Sequence, residues 1–306
     1  MTNHLQKTIS SPISLQGIGL HSGKQSKITI RPGKDDQGIV FKRVDLKKNN
    51  IIEANYKNVS SAKLCTTLEN QHGVKVSTVE HLLAALYISE IDNVIIEIDN
   101  QEVPIMDGSA KNFLDALKKT EIKSLTKKIN YIKILKKEEL VDGERNISIE
   151  PCEEFEVDFQ IKYKNKIIGD QRNTVNFNDL SLEEVSESRT FCLFDDIEKI
   201  KKLGLAKGGS LENAIVVDKE KVLNESGLRN EKEFVNHKIL DLAGDFFLSG
   251  GRILGKVKCS QGGHELTNKF LRKLFSQSKE ISNNKTNKKF ILKDPTNHSY
   301  KVAVNA

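Results

Sequence analysis

The chain has 306 residues, enough for one large domain or two ordinary ones. With 37% hydrophobic and 29% charged residues it has ample material for a core, and no apolar run is long enough for a membrane span. The net charge of +6, from 48 Lys+Arg against 42 Asp+Glu, fits an anionic ligand or simply a Lys- and Asn-rich composition; without tryptophan or aromatic residues among the basic runs, a base-stacking nucleic-acid platform is unsupported.

The N-terminal text "MTNHLQKTISSPISL" shows no apolar signal region. Cys65, Cys152, Cys192 and Cys259 have no short paired spacing, so they read as reduced thiols of a cytoplasmic protein rather than as a disulfide framework. "SKITI", "GIVFKRV" and "AKLCTTL" are β-branched and bounded by turn residues, the pattern of strands. A helix is predicted over 78–89. It is apolar almost all round, yet Glu80 and His81 stand in its first turn. Burying either group unpaired is costly or shifts its pKa, so each needs a partner. "NVIIEID" follows as a strand, "PIMDGS" as a loop and "AKNFLDAL" as a helix with Ser109 at its N-cap. "KKTEIKSLTKK" is polar throughout and reads as a linker.

The second half reads similarly. "INYIKIL", "RNISIEPC" and "FEVDFQIKY" are strands, "EFVNHKILDLAGDFFLS" a helix, "RILGKVKC" a strand, "SQGGHE" a loop and "LTNKFLRKLF" a helix. Phe113 follows His81 by 32 residues, and Phe270 follows His237 by 33. The expected fold is therefore α+β: two similar domains from an internal duplication, at 1–125 and 126–306, with a chance recurrence of common elements as the alternative. Relative to the first half, the second carries extra material at about 195–225, with an amphipathic helical piece, a Gly208-Gly209 turn and the strand "AIVVD". Insertions on a repeated frame commonly carry function. "SKEISNNKTNKK" reads as a connector and "YKVAVNA" as a last short strand.

His237, Asp241 and Asp245 recur every four residues, which stacks them on one helix face. With His81 from the matching helix, two imidazoles and a carboxylate are an inventory for catalytic zinc, which keeps a further position open. Glu80 beside such a centre suits a general base. A His–Asp pair one turn apart is also an ordinary hydrogen-bonded pair, and the pattern alone leaves both readings standing. His264, behind two glycines, suits a general acid or an ordinary residue at a helix start. A hydroxyl at Thr190 could donate to an oxyanion.

Six segments in order, "GIGLHSGK" (17–24), "STVEHLLAAL" (77–86), "EVPIMDGSA" (102–110), "ESRTF" (187–191), "NHKILDLAGD" (236–245) and "GGHELTNKF" (262–270), resemble the signatures of the UDP-3-O-acyl-N-acetylglucosamine deacetylase family. The likeness runs from about residue 6 to 277. It implies a zinc amidohydrolase at the committed step of lipid A biosynthesis in a Gram-negative bacterium, acting on a UDP-linked acylated amino sugar. His81, His237 and Asp241 would bind Zn2+, with Fe2+ an alternative metal. Glu80 would be the general base, His264 the general acid or an electrostatic partner, Asp245 its orienting residue and Thr190 the oxyanion donor. Lys238 would sit at the sugar–diphosphate side. The active site would lie between the domains. The later insert would form a hydrophobic passage for the acyl chain, with Phe191, Leu203, Ala206, Ala214 and Val216 as candidate lining, and a small insert in the first half is expected near 40–60. His21 falls in a cleft loop with its role open. A monomer is expected. Rival readings are another zinc amidohydrolase or peptidase, a nucleotide-sugar or anionic-lipid binding module without catalysis, and a basic RNA-binding protein.

Overall fold

The computed structural model describes residues 4–179, 182–276, 278–281 and 289–292. β1 (Leu5–Ile9) precedes β2 (Ile13–Ile18), β3 (Gln25–Pro32), β4 (Ile39–Arg43) and β5 (Ile51–Glu53). β6 (Val59–Ser61), β7 (Thr67–Glu69) and β8 (Lys75–Ser77) form a separate three-stranded sheet before α1 (Glu80–Ile88). β9 (Val94–Ile98) then enters the first sheet, giving the order β2-β3-β9-β4-β5, and α2 (Lys111–Leu117) follows. β10 (Ile122–Lys128) returns antiparallel to β1.

After β11 (Tyr131–Lys133), the second sheet is built from β12 (Glu138–Asp142), β13 (Arg145–Glu150), β14 (Phe155–Lys162) and β15 (Asp170–Asn176). α3 (Glu183–Ser186), β16 (Phe191–Leu193), α4 (Phe194–Lys202) and β17 (Ile215–Val217) intervene before α5 (Glu233–Phe247), β18 (Arg252–Ser260) and α6 (His264–Ser276). The order is β12-β13-β18-β14-β15. β9, which follows α1, and β18, which follows α5, each enter their sheet between its second and third strands. Each runs antiparallel to the second and parallel to the third. The two halves thus share strand order and direction.

Alternation explains the layers. β9 buries Val94, Ile96 and Ile98 and turns Glu97 outward to Arg31; β14 buries Val157, Phe159 and Ile161. Period-two burial of this kind gives each sheet one covered face. The helices of both halves meet in one continuous apolar core. α1 packs directly on α5, and every residue from Glu80 to Tyr87 is buried, which is why its sequence has no polar face. α5 is buried except at Lys238. Gly244 allows the close crossing, since a methyl group there would overlap the Glu80 carbonyl oxygen.

Three expectations change. The polar "linker" is largely β10: its side chains are mostly exposed, so it carries no apolar alternation, yet its backbone pairs with β1. Within the stretch 40–60, where a small insert is expected, Ile39–Arg43 and Ile51–Glu53 are members of the first sheet, and the separate three-stranded sheet spans Val59–Ser77. "AKLCTTL" is a strand only from Thr67 on. Leu64 takes a left-handed backbone (φ 66), which diverts Cys65 and Thr66 over the start of α1. Ala110, not Ser109, is the N-cap of α2; Ser109 stands one residue earlier, and its hydroxyl accepts from the Lys111 N–H at 3.1 Å. β19 (Ser278–Ile281), which opens the Lys/Asn-rich segment read as a connector, pairs antiparallel with β20 (Lys289–Leu292), which begins at that segment's last residue. The strand expected at "YKVAVNA" lies outside the described residues. No described helix is long and apolar enough to cross a membrane.

Candidate active site

The start of α1 abuts the middle of α5, and this crossing brings the predicted cluster together. His81 Nε2 lies 3.3 Å and His237 Nε2 3.4 Å from Asp241 Oδ1. The candidate ligand atoms of the three residues are all within 4.8 Å of one another. Ligands at about 2.05 Å on a tetrahedron stand about 3.3 Å apart, so the two measured edges have the length a four-coordinate Zn2+ requires. Asp241 Oδ1 and His81 Nδ1 are buried without a hydrogen-bond partner. A buried carboxylate oxygen facing two imidazole nitrogens at that spacing, and bonded to neither, is suited to a shared cation. The residues therefore fit a metal ion.

Supporting contacts fix these candidate ligands. His237 Nδ1 lies 3.0 Å from the Ser188 carbonyl oxygen, which can only accept, so Nδ1 carries the proton and Nε2 keeps its lone pair. Ser188 is itself held from one side by a buried ion pair: Arg189 donates from Nε to Glu233 Oε1 at 2.7 Å, at the first residue of α5. Burial pushes His237 down to about 3, against the pull of Asp241, so the imidazole is neutral as a ligand must be. Burial acts to raise Asp241, but the positive charges of Lys238 and His264 outweigh it and hold the carboxyl well below the usual range.

Glu80 and His264 flank this cluster. Glu80 Oε1 lies 3.7 Å from His264 Nε2, too far for a hydrogen bond, so the two face each other across a gap. Burial pushes the Glu80 carboxyl up, although His264 and His81 pull against it. His264 opens α6, not the loop before it, and its Nδ1 lies 2.7 Å from Asp245 Oδ2. Burial alone would lower His264; Asp245, Glu80 and Asp241 outweigh it and lift the imidazole to about 10. The site therefore sets an ionisable carboxylate beside a protonated imidazole.

The remaining predicted residues lie at varied distances from this centre. Thr190, one residue before β16, is fixed by its backbone: its N–H donates to Gly108 and its carbonyl accepts from Ile215, both at 2.8 Å. Lys238 Nζ donates to Asp241 Oδ2 at 3.0 Å and stands 5.6 Å from the Phe191 ring centroid. Phe191 also meets His237 edge-on at 6.4 Å. Ala214 and Val216 are buried beside and within β17, which pairs with β16. Ala206 sits at a turn where its N–H approaches His21 Nδ1 at 3.4 Å. Leu203, 58% exposed at the end of α4, faces solvent. The His21 loop is held by Glu102, which accepts from the N–H groups of His21 and Ser22 at 2.8 and 2.7 Å. Sequence reasoning missed Thr66, whose N–H donates to Glu80 Oε2 and whose hydroxyl donates to Asp245. Its only signal was a polar pair, Thr66-Thr67, inside an apolar segment.

The crossing of α1 and α5, with the start of α6 beside it, gathers three histidines, an aspartate and a glutamate into a cluster that could hold a cation, the class of site a metal-dependent hydrolase uses. Residues 6–276 match the family model for LpxC, UDP-3-O-acyl N-acetylglycosamine deacetylase. Proteins named UDP-3-O-acyl-N-acetylglucosamine deacetylase are similar over nearly their whole length. The one from Saccharophagus degradans is 45% identical over 275 residues, 89% of this chain and 90% of its own. The one from Pseudoalteromonas translucida is 43% identical over 274 residues, again 89% and 90%. That from Geotalea uraniireducens is 41% identical over 274 residues, 89% of each. The chain belongs to this deacetylase family.

Proposed function

We propose that this protein hydrolyses the acetamido group of UDP-3-O-(3-hydroxyacyl)-N-acetylglucosamine, giving acetate and the free amine, the committed step of lipid A biosynthesis. The observation that carries the reading is the pair of 3.3 and 3.4 Å edges from Asp241 Oδ1 to two imidazole nitrogens, with Glu80 and His264 poised beside them. His81, His237 and Asp241 would hold Zn2+; their mixed nitrogen and oxygen donors also suit Fe2+. When bound, the ion supplies Lewis-acid polarisation of the amide carbonyl and makes water more acidic.

Glu80 takes the proton from the attacking water. Thr190 donates its hydroxyl to the oxygen on which negative charge develops. The C–N bond breaks once the amine is protonated, and His264, held cationic by three carboxylates, gives that proton. Asp245 fixes the ring so that Nε2 faces the cleft. Lys238 serves the sugar–diphosphate side, and its ion pair with Asp241 would loosen as it turns to the ligand. Phe191, Ala206, Ala214 and Val216 are assigned to the acyl passage, with Leu203 at its outer end.

We also infer that the shared strand order of the two sheets reflects an internal duplication, with domains at about 1–125 and 126–306, the later insert near 195–225 and a monomeric protein acting in the cytoplasm of a Gram-negative bacterium. The function is tested by assaying acetate release from the acylated UDP-sugar and measuring zinc in the same preparation. One equivalent of zinc, loss of turnover on chelation and recovery on adding Zn2+ is the expected result. A zinc-free preparation with full turnover would refute the metal reading.

A further inference from the structure

Four contacts around Glu80 and His264 close into a ring. Glu80 Oε1 faces His264 Nε2 at 3.7 Å. His264 Nδ1 meets Asp245 Oδ2 at 2.7 Å. Asp245 Oδ1 accepts from the Thr66 hydroxyl at 2.6 Å. The Thr66 N–H donates to Glu80 Oε2 at 3.1 Å, which returns to the start. Three of the four links are hydrogen bonds; the fourth is the open gap where chemistry would occur.

We propose that Thr66 is a positioning residue that holds the general base and the general acid in fixed opposition across the cleft. Each carboxylate has two oxygens. At Glu80 the outer oxygen is tied to the Thr66 amide, so the inner one is left for a proton. At Asp245 the outer oxygen is tied to the Thr66 hydroxyl, so the inner one is turned to His264 Nδ1 and the imidazole presents Nε2. The tie crosses between the halves of the chain, because Thr66 and Glu80 belong to the first and Asp245 and His264 to the second. Thr66 is 2% exposed, and its carbonyl accepts from the Val79 N–H at 3.4 Å, so it cannot swing free of the α1 start. The left-handed turn at Leu64 is what aims this segment over α1. No water is needed to complete the ring.

This inference rests on the roles proposed above for Glu80 and His264, and its test separates the two. Thr66→Val keeps the shape and the backbone N–H but removes the hydroxyl; Thr66→Ala removes it with less bulk, and Thr66→Ser restores it. In the zinc-loaded full chain, Val and Ala should lower kcat about 10- to 100-fold, the scale of a mis-set acid–base pair, with KM and zinc stoichiometry held within about twofold. Ser should recover to within about threefold of the natural protein. In nitrogen-15-labelled protein, the low-field His264 Nδ1–H resonance should move upfield in Val and Ala and stay in Ser. A residue that merely stabilises the fold would lower the melting temperature without this kcat-specific, hydroxyl-dependent pattern. Natural kcat in either Val or Ala, or a Ser variant as impaired as Val, would overturn the proposal. If the natural protein released no acetate, the functional reading would fall. The resonance would then decide alone, and an unmoved signal in Val and Ala would dispose of the positioning role.

Discussion

The two halves share a strand order and a helix order but spend their matching positions differently. In the first half, α1 is nine residues long and delivers Glu80 and His81 at its very start. In the second, α5 is fifteen residues long and passes across that start, presenting His237, Asp241 and Asp245 from its middle. The following helices diverge as well. α6 opens on His264, which turns into the site. Asp107 precedes Phe113 by six residues, as His264 precedes Phe270, but it lies in the loop ahead of α2 and binds Arg229 at 2.9 Å. One frame thus yields a site from unlike contributions: the first half gives His81 and Glu80, the second His237, Asp241, His264 and Asp245, and on the proposed reading these are one ligand and the base against two ligands, the acid and its orienting carboxylate. A symmetric pairing would have set like groups against each other. The asymmetry sets a carboxylate, Glu80, against an imidazole, His264.

The largest test of this division removes a ligand from either half. His81→Ala from the first and His237→Ala from the second should both lose zinc. Lewis-acid stabilisation worth several kcal/mol corresponds to about 10³-fold or more in kcat. Metal analysis of the purified variants checks the claim, and zinc retained in only one of them would show that the halves do not share a single ion. Next come the flanking groups. Glu80→Gln and His264→Ala should each lower kcat by about 10² or more. Glu80→Gln should still hold zinc, which separates a base from a ligand within one helical turn.

The pH profile sharpens the acid–base half of the comparison. Burial raises Glu80 above the usual glutamate range, so turnover should fall on the acid side as that carboxylate takes up a proton. Burial opposes, but Asp245, Glu80 and Asp241 raise His264 from 6.5 to about 10, so turnover should fall on the alkaline side as that proton leaves. Each limb should approach about tenfold per pH unit. The same shift has a sign for stability. With the folded pKa above the unfolded one, the contribution of His264 is complete below about 6.5 and is lost as pH rises through about 10. Glu80→Gln should remove the acid limb of the rate profile alone; loss of both limbs would mean that the groups titrate as one unit.

Much of this was legible in the sequence, and the reasons are local. The four-residue spacing of His237, Asp241 and Asp245 fixes them on one helix face whatever the fold does, and the recurrence of helix, strand and helix points to the pairing of halves. β10 was hidden because a mostly exposed ribbon strand has no apolar alternation to display. Thr66 was hidden because its meaning depends on Asp245, 179 residues away, and on a left-handed turn at a leucine, which no spacing rule announces. The crossing of α1 and α5 was legible only as a puzzle, a helix without a polar face. Gly244 tests it directly. Alanine in a helix normally gains about 1 kcal/mol over glycine. Here its methyl group would overlap the Glu80 carbonyl oxygen, and overpacking costs about 1–3 kcal/mol. Gly244→Ala should therefore lower the melting temperature and reduce turnover by displacing Glu80. A more stable, fully active variant would mean that the helices do not cross this closely.

The smallest expected effect falls at the position where the halves differ most. Asp107 stands where the second half has His264, but it accepts from the Ser109 N–H and hydroxyl and pairs with Arg229. The two side chains of that pair are 20% and 30% exposed, so water screens the attraction, and such pairs contribute about 0–1 kcal/mol. Asp107→Asn keeps an oxygen for Ser109 and removes only the charge. Turnover should stay within about twofold of the natural protein, and the melting temperature should shift slightly, against the hundredfold loss expected for His264→Ala. If Asp107→Asn instead matched His264→Ala while keeping its zinc, Asp107 would have to act on the substrate. The two loops would then be alike in use as well as in place, and the division of labour between the halves would need to be redrawn.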